Sequence, residues 1–377
     1  LYTDSLYGTW RIPNLLAALM ETPLAARMKG IAQDTLPDVL NPNGCMPSRF
    51  DHGMGVAFLA HIVESSAKHL PVHRGFITAA AFLHDAGNPP FTHLAEPYLE
   101  AITGHNGETF LTELLDKQTA SVLHRYGISD DSLVQFVAGE NKPFSDVLHG
   151  SLDIDNLDNI ARWAAHLPLK IQQYDGPAIA RSLQFKRGKG WSIAADQRDN
   201  CAAWQAARRA VYASIYGQPH IAAVAMLNRA MDITFRNGSL KSEFFRLNDA
   251  GGVQYLRRAN PWSHNLVTAI LQKRLYRCVW SIETNKPSVP LQRLAESWEN
   301  KAEITDEFAM WLDIPHEKVC LIASRGRDFR AIRLPFREEK QLPPEAEPPP
   351  VYRGMLFIPP EFKRRPETIQ MAVERYF

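Results

Sequence analysis

Seven consecutive residues, Ile77–Leu83, carry no charge and a single hydroxyl, and the chain runs from them directly into His84 and Asp85. A helix that is apolar on nearly every face has to be buried. A helix over Arg74–Leu83 is therefore predicted to deliver an imidazole and a carboxylate into a partly desolvated place. Burying a carboxylate is costly unless it is paired or bound to a metal. Imidazole with carboxylate is also a good donor set for Mn²⁺, Fe²⁺, Co²⁺, Ni²⁺ or Zn²⁺. Gly87 and Pro89-Pro90 then break the helix. His93 and Glu96, three residues apart, share one face of the next helix. They can point back at the same place as a proton donor and its orienting carboxylate.

Most of the remaining chain reads as helix. Met54–Leu70 stops before Pro71, and Glu96–Ile102, Glu108–Tyr126 and Leu152–Leu167 are punctuated by Gly104, Gly127 and Pro168. Asp196–Tyr216 and His220–Phe235 form a long helical pair, and Trp262–Glu283 is predicted as a further helix. From about Lys286 the character changes. Strands are expected at Val319–Ala323, Phe329–Leu334 and Val351–Ile358, a linker or loop at Pro343–Pro350, and a closing helix at Pro366–Phe377. The fold class expected is mainly α: a helical unit over 1–285 and a smaller α+β region over 286–377, with a Pro-rich linker at 343–350.

The charges exclude some partners. With 42 Lys+Arg against 41 Asp+Glu the formal net charge is +1, which argues against a large basic face for polymeric nucleic acid or an anionic membrane. The longest apolar runs, such as Ile77–Leu83 and Ile221–Leu227, fall well short of the roughly 20 residues that span a bilayer. Cys45, Cys201, Cys278 and Cys320 lie far apart with no CxxC spacing. That fits a reducing, cytoplasmic setting.

Four segments concentrate acids and histidines: Ser48–Gly53, Phe82–Glu96, Gly104–Glu108 and Leu152–Asp158. Each has a bland reading when taken alone. A His-Asp dipeptide is common by chance, His52 reads as a core histidine, and Asp153, Asp155 and Asp158 read as a helix-start charge cluster. The ordered set, each member beside a helix, carries the argument.

That order, His52, His84-Asp85, Asp155, resembles the H…HD…D signature of the HD-domain metal-dependent phosphohydrolases. HDAGNPPFTHLAE (His84–Glu96) is similar to the HDxGNPPFGHxGE segment of bacterial dGTP triphosphohydrolases. SRFDHGMGVAFLA (Ser48–Ala60) resembles the RFEHSLGVxYLA segment of the SAM-and-HD-domain dNTP triphosphohydrolases. Thr3–Gln33 resembles that family's opening, and DIDNLDNIAR (Asp153–Arg162) partly matches its DVDKxDYxxRD. The resemblance covers roughly residues 2–165, is looser through Arg208–Met231, and is not followed beyond about 290.

The resemblance implies a helical HD-domain bundle with its core at about 45–170. It implies one divalent metal ion (Mn, Mg, Fe, Co, Ni or Zn) held by His52, His84, Asp85 and Asp155. It gives His93, Glu96 and His105 acid/base and charge-stabilising roles, with His93 as proton donor. Arg49 falls on a phosphate-contacting arginine, Gln33 on a glutamine at the sugar 3′-hydroxyl, and Tyr216 on a sugar-side tyrosine. The expected activity is hydrolysis of a nucleotide, first of all dNTP to deoxynucleoside plus triphosphate. The alternatives are a phosphomonoesterase for a nucleoside monophosphate or other small phosphate, or a nucleotide-binding regulatory protein with little turnover. A homo-oligomer is expected by analogy.

The departures lie on the substrate side. Asn156 stands where the family has a triphosphate-binding lysine, Asn159 where it has a sugar-packing tyrosine, and Trp163 where it has an acid. Lys142, Lys170, Lys186, Arg187, Lys189, Arg208 and Arg209 are candidate replacement cations, and Phe185–Trp191 reads as an exposed basic loop. The remaining histidines, His149 among them, read as ordinary helical or loop residues.

Overall fold

The computed structural model describes residues 1–41, 46–167, 169–215, 220–325, 334–337 and 351–374. Tyr216, the Pro-rich 343–350 and nearly all of the expected strand at 329–334 lie outside them. The protein is mainly α.

The site rests on three helices. Arg49–Ser66 starts at a capping box: the Ser48 hydroxyl accepts from the Asp51 amide at 3.1 Å, and the Asp51 carboxylate accepts from the Ser48 amide at 2.9 Å. Phe76–Leu83 is buried along its whole length, as its composition demands. It has no cap of its own, because Gly75 precedes it with φ 98°. Glu64 from the first helix supplies one, accepting from the amides of Gly75 (3.0 Å) and Ile77 (2.8 Å) and from the Thr78 hydroxyl (2.7 Å). Gly53 lets these two helices touch, since a Cβ there would lie 2.6 Å from the Phe82 carbonyl oxygen. The third helix, Ile154–His166, is capped by Asp153, which accepts from the Asn156 amide at 2.7 Å.

An N-terminal hairpin, Tyr2–Asp4 with Gly8–Trp10, closes one side of this bundle. The predicted Glu108–Tyr126 helix is two, Leu111–Leu114 and Lys117–Arg125, because Asp116 caps the second through the Gln118 and Thr119 amides. The predicted helix Trp262–Glu283 is also corrected. Pro261–Leu271 is helical, Lys273 then turns the chain at φ 56°, and Arg277–Thr284 is a strand. Val279, Trp280, Ile282 and Thr284 are β-branched or aromatic and favour that pleated surface.

That strand pairs antiparallel with Tyr352–Ile358, which pairs antiparallel with Cys320–Arg325, giving a three-stranded sheet with Tyr352–Ile358 in the centre. The helices Val289–Glu296, Trp298–Trp311 and Pro366–Val373 bury their apolar faces with it around Leu294, Phe308 and Leu356. Phe185–Trp191 is not an open loop. It is a short hairpin, Gln184–Lys186 with Gly190–Ser192, anchored by the buried Trp191, whose indole N–H donates to the Phe144 carbonyl at 2.7 Å. Only Lys186–Lys189 faces solvent. Among the described residues no helix is long and apolar enough to cross a membrane.

Candidate functional site

His52 lies on the second turn of the Arg49–Ser66 helix, His84 and Asp85 follow the end of Phe76–Leu83, and Asp155 sits in the first turn of Ile154–His166. Their packing brings four donor atoms together. His52 Nε2 is 2.9 Å from Asp155 Oδ1 and 3.6 Å from Asp85 Oδ2. His84 Nε2 is 3.3 Å from Asp85 Oδ2 and 3.7 Å from Asp155 Oδ1. Donors sharing one divalent ion at about 2.0–2.2 Å lie roughly 3–3.5 Å apart, so the spacing suits a metal. His52, His84 and Asp85 form a group compatible with one ion.

The outer nitrogens fix the rings. His52 Nδ1 is 2.7 Å from Asp158 Oδ2, and His84 Nδ1 is 2.8 Å from the Ala81 carbonyl. A carbonyl only accepts, so a neutral His84 carries its proton on Nδ1 and turns the Nε2 lone pair inward. That Nε2 is buried and makes no hydrogen bond within the described structure. An orphaned inward lone pair between two carboxylates fits a cation.

The carboxylates favour positive charge at the two Nε2 nitrogens, a proton when no cation is held, and a bound ion would displace that proton. Burial alone would lower both imidazole pKa values. Hydrogen bonds to Asp155 and Asp158 instead raise His52, and Asp85 with Asp155 raises His84 well above its ordinary value. Burial would raise the carboxylates, but Arg49 and His84 hold Asp85 well below the usual range, and His52 and His84 lower Asp155.

Behind His52 stands an ion chain that sequence reasoning did not assign. Arg162 donates Nε to Asp158 Oδ2 and Nη2 to Asp158 Oδ1, both at 2.8 Å, and Nη2 also reaches Asp4 Oδ2 at 3.1 Å. Asp158 and Arg162 are almost fully buried. Gly55 leaves the space they occupy, since a Cβ there would lie 1.9 Å from Asp158 Oδ1. The i,i+4 spacing of Asp158 and Arg162 was the available signal.

The other expected residues fall as follows. Arg49 is buried and its Nη1 pairs with Asp85 Oδ2. His93 Nδ1 is 2.9 Å from Glu96 Oε1, and His93 is half exposed. Burial would raise Glu96, but His93 lowers it. His105 lies on the loop that packs against the His84–Asn88 turn, where a Cβ on Gly87 would meet the Gly107 carbonyl oxygen at 2.0 Å. Among the described residues no hydrogen bond joins its ring to His93, Glu96 or the four donors. Gln33 donates Nε2 to Asn159 Oδ1 at 2.6 Å, so two substrate-side candidates are in contact. Asn156 folds its amide back onto Asp153 at 3.0 Å. Arg208 is buried on the helix Arg198–Ile215, one turn from Trp204, whose indole N–H reaches the Asn156 carbonyl at 3.4 Å; the guanidinium sits 4.6 Å over the Tyr212 ring. His149 ends the short helix Asp146–His149. Its Nε2 is buried without a partner among the described residues, and burial, then the neighbouring His84, pushes its pKa down.

Two more residues hold the turn that carries Asp85 and His93. Arg27 donates to the carbonyls of Ala86 (3.0 Å), Asn88 (2.8 Å), Phe245 (3.0 Å) and Arg246 (3.1 Å). Asp249 accepts from the amides of Ala32 at 2.7 Å and Phe91 at 3.0 Å. Phe91 and Thr92 have φ of 66° and 49°, a conformation that costs a non-glycine residue on the order of 1–3 kcal/mol. The Asp249 contact helps to hold it.

Burial pushes the Asp249 pKa up to about 6, against the partial opposition of those two amides. An acid whose folded pKa is raised contributes stability below its unfolded value near 3.9, and that contribution is lost as pH rises through the folded value. Unfolding free energy should therefore fall by about 3 kcal/mol between roughly pH 4 and 6 through this group. The slope difference between wild type and Asp249→Ala in urea melts at several pH values measures it. Identical slopes contradict the assignment.

Residues 203–342 match the family model of an HD-associated region. An uncharacterized protein of Methanocaldococcus jannaschii is 24% identical over 280 residues, 73% of this chain and 58% of that protein. A deoxynucleoside triphosphate triphosphohydrolase SAMHD1 homolog of Dictyostelium discoideum is 22% identical over 186 residues, 44% of this chain and 36% of that protein. The chain thus spans less than two thirds of the length of these curated relatives. The crystal structure of a hypothetical protein from Aquifex aeolicus shares the fold, with a TM-score of 0.72 at 18% identity over 99% of both chains. The region match and the Dictyostelium relative together support an HD-domain family. The four donors, His52 to Asp155, lie outside the matched region.

Proposed function

We propose that this chain is a metal-dependent phosphohydrolase acting on nucleotides, first of all by hydrolysing a dNTP to deoxynucleoside and triphosphate. The observation that carries the reading is the convergence of His52 Nε2, His84 Nε2, Asp85 Oδ2 and Asp155 Oδ1, with the His84 lone pair turned inward and unpartnered. These four residues would hold one divalent ion. Such an ion supplies Lewis-acid polarisation of a phosphate and lowers the pKa of water to make a nucleophile.

The chain's own residues do the rest. Arg49 keeps Asp85 ionised and turned toward the donors, and its guanidinium is suited to phosphate oxygens. Glu96 fixes His93 through Nδ1, leaving Nε2 to give a proton to the leaving sugar oxygen as the P–O bond breaks. His105 would stabilise charge beside them. Gln33 and Asn159, joined to each other, and Tyr216 would meet the sugar, and Asn156 would lie beside the phosphates. The sequence pattern and the Dictyostelium relative support a nucleotide as substrate.

A second reading, a phosphomonoesterase for a nucleoside monophosphate or similar small phosphate, is favoured by one observation. Asn156 brings no cation, and its amide is spent on Asp153. We expect a homo-oligomer and a cytoplasmic setting on the sequence argument alone.

The test is product analysis by ³¹P NMR. Full chain loaded with Mn²⁺, Mg²⁺ or Co²⁺ is incubated with dNTPs, NTPs and mononucleotides. Tripolyphosphate plus deoxynucleoside supports the first reading, and orthophosphate from monophosphates the second. No turnover of any phosphate ester, with ligand binding retained, would leave a regulatory nucleotide-binding protein.

A further inference from the structure

A cavity of about 500 Å³ opens beside the Asp158–Arg162 chain, on an adjacent face of the Ile154–His166 helix. Its size lies within the range of small-molecule sites. Ala161 and Ala164 supply a floor of methyl groups, and Tyr7, Phe58 and Ile171 form the walls. The Tyr7 and Phe58 rings are stacked, with centroids 4.8 Å apart and planes 29° from parallel. The wall is held in place: Asp4 Oδ1 accepts from the Leu6 amide at 2.8 Å and from the Tyr7 amide at 3.2 Å. The Tyr174 hydroxyl donates to the Leu157 carbonyl at 2.7 Å.

The charge of the lining decides the class of ligand. Among the described residues it contains no lysine, arginine or histidine, and its one ionisable carboxylate is Asp175 at the rim. A phosphate would find no cation there and a carboxylate facing it, so the cavity is no part of a phosphate site. An aromatic ring gains from the apolar walls, and a positive group on it would be drawn to Asp175. We propose that this cavity binds a small neutral or cationic aromatic molecule. The inference stands apart from the phosphohydrolase reading, because none of the four donor residues lines the cavity.

The test uses full chain labelled at its alanine methyl groups, titrated with three probes that share one ring: tryptamine, indole and indole-3-acetate. Saturable shifts of the Ala161 and Ala164 methyl signals are expected, with affinity on the order of 1 mM for molecules of this size. Tryptamine should bind roughly two- to fivefold more tightly than indole-3-acetate, as a solvent-facing ion pair allows. Asp175→Asn keeps the cap that accepts from the Ala178 amide at 2.8 Å and should erase that difference while leaving indole unchanged. Ala164→Phe, or Ala161→Leu if the first does not fold, should abolish the shifts at unchanged circular dichroism. Absence of shifts at these methyls with all three probes overturns the proposal. So does binding that a folded filled variant leaves intact.

Discussion

His84→Ala is expected to lower turnover by about a thousandfold or more, the several kcal/mol that a bound ion contributes at about 1.4 kcal/mol per decade. It should weaken Mn²⁺ binding more than about a hundredfold, beyond what loss of an outer-sphere contact costs. The reason is local. His84 Nε2 is the one donor of the four with no hydrogen bond of its own within the described structure, so its lone pair has no other use. The fold should survive, because the residue sits past the last turn of Phe76–Leu83 and its one ring hydrogen bond is to Ala81 within the same segment. Initial rates, isothermal titration and thermal melts on the same preparation separate these effects. Retained activity in the variant contradicts the role given to His84. Lost activity with unchanged Mn²⁺ affinity moves His84 from holding the ion to another task.

Asp158→Asn should destabilise the protein by about 3 kcal/mol and weaken metal binding about 10–100-fold. Asp158 gives both oxygens to Arg162 and one of them also to His52. Neutralising it leaves the buried Arg162 with Asp4 as its one charge partner at 3.1 Å, and leaves a single amide oxygen for His52 and Arg162, which now use two. The two effects can be separated. In the triple variant Asp4→Asn, Asp158→Leu and Arg162→Met, no charge of this buried chain is left unpaired, and much of the stability should return. Metal affinity should not return, because leucine at 158 offers His52 Nδ1 no acceptor. Recovery of both would make Asp158 a packing residue only. Urea melts and metal titrations on the two variants decide it.

Part of this site was legible in the chain and part was not, for a physical reason. The apolar run before His84 forces burial, and a buried His-Asp pair demands a partner, so His84 and Asp85 could be anticipated from the residues, while His52 and Asp155 were expected beside them on the H…HD…D resemblance. Arg27 and Asp249 could not. Arg27 holds backbone carbonyls 59 to 219 residues away, and Asp249 holds amides 158 and 217 residues away. A backbone acceptor carries no residue signature, so nothing in the composition of the partner segments marks the contact. The same limit explains the strand Arg277–Thr284. Its aromatic and basic residues read as a helical face, and the pairing with Tyr352–Ile358, some 75 residues on, adds to its β-branched and aromatic content in favour of the sheet. Asp158 was visible as a charge, but its use behind His52 depends on the space Gly55 leaves, which is a fact of packing.

The measurement that meets the central claim most directly is a titration of the apo full chain with Mn²⁺, followed by electron paramagnetic resonance and calorimetry. The account predicts one tight site per chain, lost on replacing any of His52, His84, Asp85 or Asp155. Absence of a stoichiometric site, or one that persists when His84 and Asp85 are both replaced in a folded protein, would contradict it.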